Sequence, residues 1–391
     1  MQCLSPKITN KAFYFLNSSE RDLGKTGDEM KFTGGYSLSM YPSESVTLRY
    51  SLNAYYPNIT KVVAVSGNEN LVKVEQVNGE WVITAKAEGY ASVTVNVVMD
   101  GKSTYYSQTI NIEVKDPYIT TGPSLTHYFG NGGRVEIPKS LSLTDIGQFA
   151  FSNFDYVAKG PGDEISEDDP TTTKQWFIGE DTVEEVIIPE GVKTIGSYAF
   201  ANLTALTKVV LPSTLERIDF GAFYGCTSLT TVEGLENVKF INRDAFAGCA
   251  LRGNISLDNV VAIADRAFML NTKLEGVTLG SNIQSIGAYA FSDNTALKTF
   301  TIQAPIVKLG QYAFEFCSSL EAIEINAAVI PAGAFNECTA LKTIKLGKDV
   351  AVIGEYAFSN APATNFEVDA NNTALVAKEG GKYLTNKPSN M

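Results

Sequence analysis

The sequence predicts a mainly β chain: a right-handed solenoid of about nine coils, preceded by a smaller β-sandwich. Three observations carry this expectation. Ala-Phe pairs recur at Ala150-Phe151, Ala199-Phe200, Ala222-Phe223, Ala245-Phe246, Ala267-Phe268, Ala290-Phe291, Ala313-Phe314, Ala334-Phe335 and Ala357-Phe358. Alternating apolar runs such as Leu206, Val209 and Leu211, or Leu341, Ile344 and Leu346, lie between the pairs. Ahead of the array, from Gly35 to about Lys115, short alternating strands are separated by Asn78-Gly79 and Asp100-Gly101, dipeptides that close hairpins.

The array sets the architecture. From Phe200 onward the phenylalanines follow at intervals of 23, 23, 22, 23, 23, 21 and 23 residues, and the first interval of 49 is one such unit plus an insertion of 26. Each unit reads as an apolar strand, a turn, an Ile-Gly step and the pair, as in Ile195-Gly196-Ser197-Tyr198-Ala199-Phe200 and Ile353-Gly354-Glu355-Tyr356-Ala357-Phe358. Alternate side chains of a strand share one face. One unit cannot bury that face alone, but stacked copies share a continuous core. The phenylalanines are therefore expected to stack coil on coil. Gly196, Gly287, Gly310 and Gly354 are expected to let the backbone turn where a Cβ would crowd. At strand spacings of about 4.8 Å, eight steps give a sheet roughly 38 Å long.

A period of 21–23 falls in the range of leucine-rich repeats. The cadence Ile-Gly-x-x-Ala-Phe, x-x-Cys, x-x-Leu, Leu-Pro resembles the BspA-like leucine-rich repeats of bacterial surface proteins over about residues 135–385. Phe366-Glu367-Val368-Asp369, Asn371-Asn372 and Tyr383-Leu384 are similar to a weakened form of that family's closing motif. The resemblance implies export and adhesion to host or neighbouring-cell molecules. The periodicity itself shows only a scaffold.

The front region is read as residues 1–30, an N-terminal segment, and 31–115, a sandwich. Val72-Lys73-Val74 followed by Trp81-Val82-Ile83-Thr84-Ala85-Lys86-Ala87-Glu88-Gly89-Tyr90-Ala91 resembles group 2 bacterial immunoglobulin-like domains, which implies a spacer or a surface-ligand module. Trp81 is expected in its core. Residues 116–134 are read as a linker because Gly122-Pro123 and Gly130-Asn131-Gly132-Gly133 are breakers. Residues 135–391 form the solenoid, with the inserted loop at about 152–182. Met1-Gln2-Cys3-Leu4 has neither a basic n-region nor an apolar h-region, and Cys3 is either an incidental thiol or a lipid-attachment cysteine.

A net charge of −12 argues against phosphate neutralisation on nucleic acid and against docking on anionic lipid. No apolar run is long enough to span a bilayer. The single histidine, His127, lacks any nucleophile elbow, and no Walker loop, dinucleotide fingerprint or His-Glu-x-x-His motif is present. No enzyme, cofactor or metal site is expected. Cys226, Cys249, Cys317 and Cys338 share one repeat position with Asn271 and Asn294, where a small polar group is expected to meet freed backbone donors. These cysteines read as buried thiols, with adjacent-coil disulfides the alternative. The acidic run Asp163, Glu164, Glu167, Asp168 and Asp169 reads as a solvated loop without an EF-hand register.

The remaining candidate is the strand surface. One residue per coil should point outward: Ile187, Val210, Glu233, Ser256, Thr278, Thr301, Glu324 and Lys345. Trp176 and Phe177 of the insertion either contact a partner or pin the loop, and Ile187 with Val210 form either an apolar anchor or the loop's resting place. The expected function is a cell-surface or secreted, adhesin-like recognition protein binding a host or neighbouring-cell protein or glycan. A glycan-capture component or a ligand-free spacer are the alternatives.

Overall fold

The structure, a computed structural model, describes residues 11–15, 36–42, 45–50, 59–99, 104–130, 132–152, 183–302, 308–362 and 365–387. They fall into two compact units, one drawn from Met1–Ile119 and Tyr128–Asn131, the other from Thr120–His127 and Gly132–Met391. Regular structure is almost wholly strand. Three short 3₁₀ turns are the helical elements among the described residues, and none is long and apolar enough to cross a membrane.

The first unit holds two four-stranded sheets. One runs Lys11–Phe15, Ser45–Tyr50, Glu80–Ala85, Val72–Val77; the other runs Tyr36–Met40, Thr104–Val114, Gly89–Met99, Ile59–Ser66. Alternation places Val46, Leu48 and Ile83 of the first sheet and Val93, Ile110 and Ile112 of the second in one buried cluster. Trp81 packs on that cluster, and its indole N–H donates to the Val62 carbonyl of the other sheet at 3.0 Å. Asn78 and Gly79 both take positive φ, 51° and 86°, the backbone a two-residue hairpin needs.

The second unit is a β-solenoid of about nine turns. Its front strands form three parallel sheets: Gly133–Glu136 to Thr231–Glu233, Gly253–Leu257 to Thr299–Ile302, and Ala322–Ile325 to Asn365–Val368. Its back strands are two residues long in most coils, from Asp145–Ile146 through Lys308–Leu309, continued by the pair Val329–Ile330 and Val352–Ile353. Inward positions such as Val186, Val209, Val277, Ile323 and Ile344 are buried.

Between back and front runs the phenylalanine ladder. Ring centroids from Phe151 through Phe358 step by 4.6–5.5 Å, and from Phe200 to Phe358 adjacent rings lie within 10° of parallel. Offset stacks in this range add to the gain from burying each ring.

The turn that carries each ring follows a backbone rule. The residue two before every phenylalanine is left-handed: Phe149, Tyr198, Gly221, Asp244, Arg266, Tyr289, Tyr312, Gly333 and Tyr356 have φ of 55–62°. From Asn202 to Asn360, the residue two after the phenylalanine is left-handed as well. The glycines of the Ile-Gly step take no positive φ, so the turning role expected of them falls to these other positions. The crowding expected of a Cβ at these glycines is present. A Cβ on Gly196 would lie 2.8 Å from the Gln148 amide nitrogen, and one on Gly354 2.6 Å from that of Ala332.

The stretch 116–134, read from its breakers as a linker, carries strands. Tyr118–Thr121 and Ser124–Tyr128 begin the back sheet, with Leu125 fully buried opposite Ile146. Gly122, at φ 58°, sits in the turn between them. Glycine-proline dipeptides mark tight turns as readily as linkers, and these strands are too short to show an alternating pattern.

Candidate functional site

The front face is a set of in-register columns. Ile187 pairs with Val210 and Val210 with Glu233; Ser256 pairs with Thr278 and Thr278 with Thr301; Glu324 pairs with Lys345. The outward residues predicted from the period therefore line up within each of the three sheets. The ladder also runs on to Glu136 before Ile187 and Glu367 after Lys345, two positions the sequence reading left out. Trp176 and Phe177 lie outside the described residues, as do the acidic run of the insertion and Cys3.

A second column, two residues earlier on each strand, was not singled out from the sequence. Arg134, Glu185 and Lys208 alternate in sign along it, and Thr231 follows. The Arg134 guanidinium lies 3.7 Å from Glu185, and the Lys208 ammonium lies 3.6 Å from Glu185 and 2.9 Å from Glu233. The hydrogen bond to Glu233, then the charges of Glu233 and Glu185, hold the Lys208 pKa above its ordinary value. Its signal in the sequence was the alternation of charge at the position two before each outward residue.

This charge ladder borders the half-buried pair Ile187 and Val210. Towards the middle of the array the surface turns hydroxylated and uncharged, with Ser256, Thr278, Thr299 and Thr301. More exposed apolar side chains of the solenoid lie elsewhere, among them Phe240, Val329 and Val352 on back strands and Leu270, Phe316 and Tyr356 in turns.

The Asn/Cys column is interior. Each thiol donates to the phenylalanine carbonyl of the preceding coil: Cys226 to Phe200, Cys249 to Phe223, Cys317 to Phe291 and Cys338 to Phe314, each at 3.1 Å. Asn271 and Asn294 do the same through Nδ2, to Phe246 at 2.8 Å and Phe268 at 2.9 Å. The column thus mainly meets freed acceptors, and the expected backbone donor is met at Asn271, whose Oδ1 accepts from the Leu251 amide at 3.3 Å. Asn294 Oδ1 is buried without a partner among the described residues. All four cysteines are free and buried. Burial pushes the Cys226 and Cys338 pKa up to about 12 and raises those of Cys249 and Cys317 well above the usual thiol range. Among the described residues, no group of three or more His, Cys, Asp or Glu side chains is placed to hold a metal ion.

No curated protein matches the chain. Among solved structures, a leucine-rich repeat protein from Bacteroides ovatus is similar at 23% identity and a TM-score of 0.42, covering 64% of this chain and 72% of its own. A leucine-rich cell surface protein from Faecalibacterium prausnitzii is similar at 21% identity and a TM-score of 0.38, covering 65% and 76%. The pneumococcal vaccine antigen PcpA is similar at 13% identity and a TM-score of 0.24, covering 79% and 90%. The model of the BspA-type leucine-rich repeat region matches residues 171–270 and 261–378, just over half of the sequence, and the chain belongs to that family.

Proposed function

We propose that the chain is a cell-surface or secreted recognition protein, adhesin-like in role, whose front sheet binds a protein or glycan of a host or neighbouring cell. The observation that carries this reading is the front face around Ile187 and Val210. There a half-buried apolar pair is bordered by the Arg134–Glu185–Lys208–Glu233 ladder on strands locked in register. Partner surfaces with an apolar centre and a charged rim are the usual anatomy of protein recognition. The surface is built on rigid strands, so little ordering entropy opposes binding.

The N-terminal two-sheet unit is read as an immunoglobulin-like module that spaces the solenoid from the envelope, with Cys3 as a site of lipid attachment. Trp176 and Phe177 are assigned to the same recognition surface, and Thr278, Thr301, Glu324 and Lys345 extend it along the array. The role needs no catalytic group and no cofactor. Glycan capture by aromatic stacking has less support, because the described outward columns carry no aromatic ring.

A solid-phase screen of the purified chain against extracellular-matrix proteins, mucins and a glycan panel tests the reading. A saturable ligand whose binding is lost on Val210→Asp supports it. A folded chain that binds nothing in the screen points to a structural spacer.

A further inference from the structure

The geometry points to a strand-addition site on the last back strand, Val352–Ile353, taking an extended segment of another polypeptide. That segment carries an apolar β-branched residue in register with Val352 and a glycine four residues later.

The site follows from how each coil bonds to the next. In the turn, three amides of one coil donate forward: Gly333 to the Glu355 carbonyl at 3.0 Å, Phe335 to Ala357 at 2.8 Å and Glu337 to Ser359 at 2.9 Å. In the back strand the direction reverses, with Val352 donating to the Ala328 carbonyl at 3.1 Å and Gly354 to Ile330 at 2.7 Å. Continued by one coil, the pattern leaves the carbonyls of Ala351 and Ile353 and the amides of Tyr356, Phe358 and Asn360 facing outward. Among the described residues none of these five groups has a backbone or side-chain partner. Two acceptors two residues apart and, starting three residues further on, three donors at two-residue intervals repeat the backbone pattern by which one coil receives the next.

The front of the same coil is closed. Thr343–Leu346 is covered by Asn365–Val368, whereas among the described residues Val352–Ile353 has a neighbour on one side only. Exposed edges are ordinarily protected by charge or proline. From Val350 to Gly354 the chain has neither.

Side chains define the occupant further. Tyrosines two before the ladder phenylalanine lie on the next coil: Tyr289 stacks on Tyr312 at 5.1 Å, and a Cβ on Gly221 would meet the Tyr198 ring at 2.6 Å. Tyr312 covers Gly333 in the same way. Among the described residues Tyr356 has no such cover, and it is 71% exposed. Beside it Val329 and Val352 pair in one half-exposed apolar column. An added strand with a β-branched residue beside Val352 continues that column. Glycine four residues on repeats the relation of Val329 to Gly333.

The test is fluorescence anisotropy of the full chain with a labelled peptide copying residues 215–225 and carrying Arg217→Val, which supplies the β-branched residue and Gly221. Saturable binding is expected. It should weaken by at least about tenfold when the peptide amides at positions 217 and 219 are N-methylated, because each carries one hydrogen bond to Ala351 or Ile353. Val352→Asp and Tyr356→Asp should weaken it similarly, and both sites are exposed enough to leave the fold intact by circular dichroism. Val210→Asp, on the front sheet, should leave it unchanged. No saturable binding by the folded chain, or equal affinity for the N-methylated peptide, overturns the proposal. Concentration-dependent dimerisation abolished by Tyr356→Asp also overturns it, in favour of a second copy of the chain.

Discussion

The ring of Phe151 lies 4.6 Å, centroid to centroid, from the ring of Phe200, although residues 153–182 run between them in the sequence. The Phe151 amide donates to the Ala199 carbonyl at 2.8 Å, and Asp145–Ile146 pairs directly with Thr194–Ile195. The insertion therefore leaves the stacking of coils on either side of it uninterrupted.

Loss of one ring from the middle of the ladder should be costly. Phe268 is fully buried between Phe246 and Phe291, each 5.3 Å away. Phe268→Ala should destabilise the solenoid by about 3–5 kcal/mol. Urea unfolding followed by circular dichroism measures this, and a change below about 1 kcal/mol would show that the ladder does not carry the core.

The interior Asn/Cys column makes an unusual swap tolerable. In the cysteine coils the backbone N–H of the cysteine satisfies its own coil's phenylalanine carbonyl, as Cys317 does for Phe314, while the thiol serves the preceding coil. Asn294→Cys keeps a donor for Phe268 and removes an oxygen that has no partner. It should be neutral or stabilising by up to about 1 kcal/mol, whereas Asn294→Leu removes one donor from each of the Phe268 and Phe291 carbonyls, which keep Asn271 Nδ2 and the Cys317 thiol, and should cost about 0.5–1.5 kcal/mol. Thermal melts of the two variants separate these outcomes.

Backbone handedness predicts a third contrast. Leu270 is left-handed at φ 63° with its side chain 47% exposed. A left-handed residue bearing a Cβ costs about 1–2 kcal/mol, offset in part by the extra chain entropy of glycine. Leu270→Gly should range from neutral to about 1 kcal/mol stabilising, and Leu270→Val should destabilise by at least about 1 kcal/mol. Equal melting temperatures for the pair would contradict the assigned conformation.

The buried thiols impose a pH dependence. Their folded pKa values lie above the reference of 9.0, to about 12 for Cys226 and Cys338, so the unfolded chain loses these protons first. The stability they contribute is fully present below pH 9 and is lost as pH rises from about 9 towards 12. Each such thiol adds a slope of about 1.4 kcal/mol per pH unit in that window. In a Cys3→Ser background the native protein should resist thiol reagents at pH 8 and react fully in denaturant. Prompt native labelling would contradict the burial.

Much of this was legible in the sequence because the physics repeats. The Ala-Phe interval located the ladder, and the alternation beside it located the front columns, since a period of two fixes which side chains share a face. The left-handed positions were hidden. Phe149, Gly221, Asp244, Arg266 and Tyr356 share no residue type, only the absence of a branched Cβ. The direction of the Cys/Asn hydrogen bonds was also illegible, because a small polar residue at a turn serves a donor or an acceptor equally well until the coils are stacked. The charge ladder through Arg134, Glu185 and Lys208 could have been found by reading the second outward position as well as the first.

The central claim is that recognition belongs to the front sheet around Ile187 and Val210. Its most direct test compares two single substitutions on opposite faces, Val210→Asp in front and Phe240→Asp behind, against a ligand found by the surface screen. The account predicts that Val210→Asp weakens binding by about tenfold or more, through loss of an apolar contact and introduction of a charge beside Glu233, while Phe240→Asp leaves it unchanged. Binding lost in Phe240→Asp and retained in Val210→Asp would contradict it and move the recognition surface to the back of the solenoid.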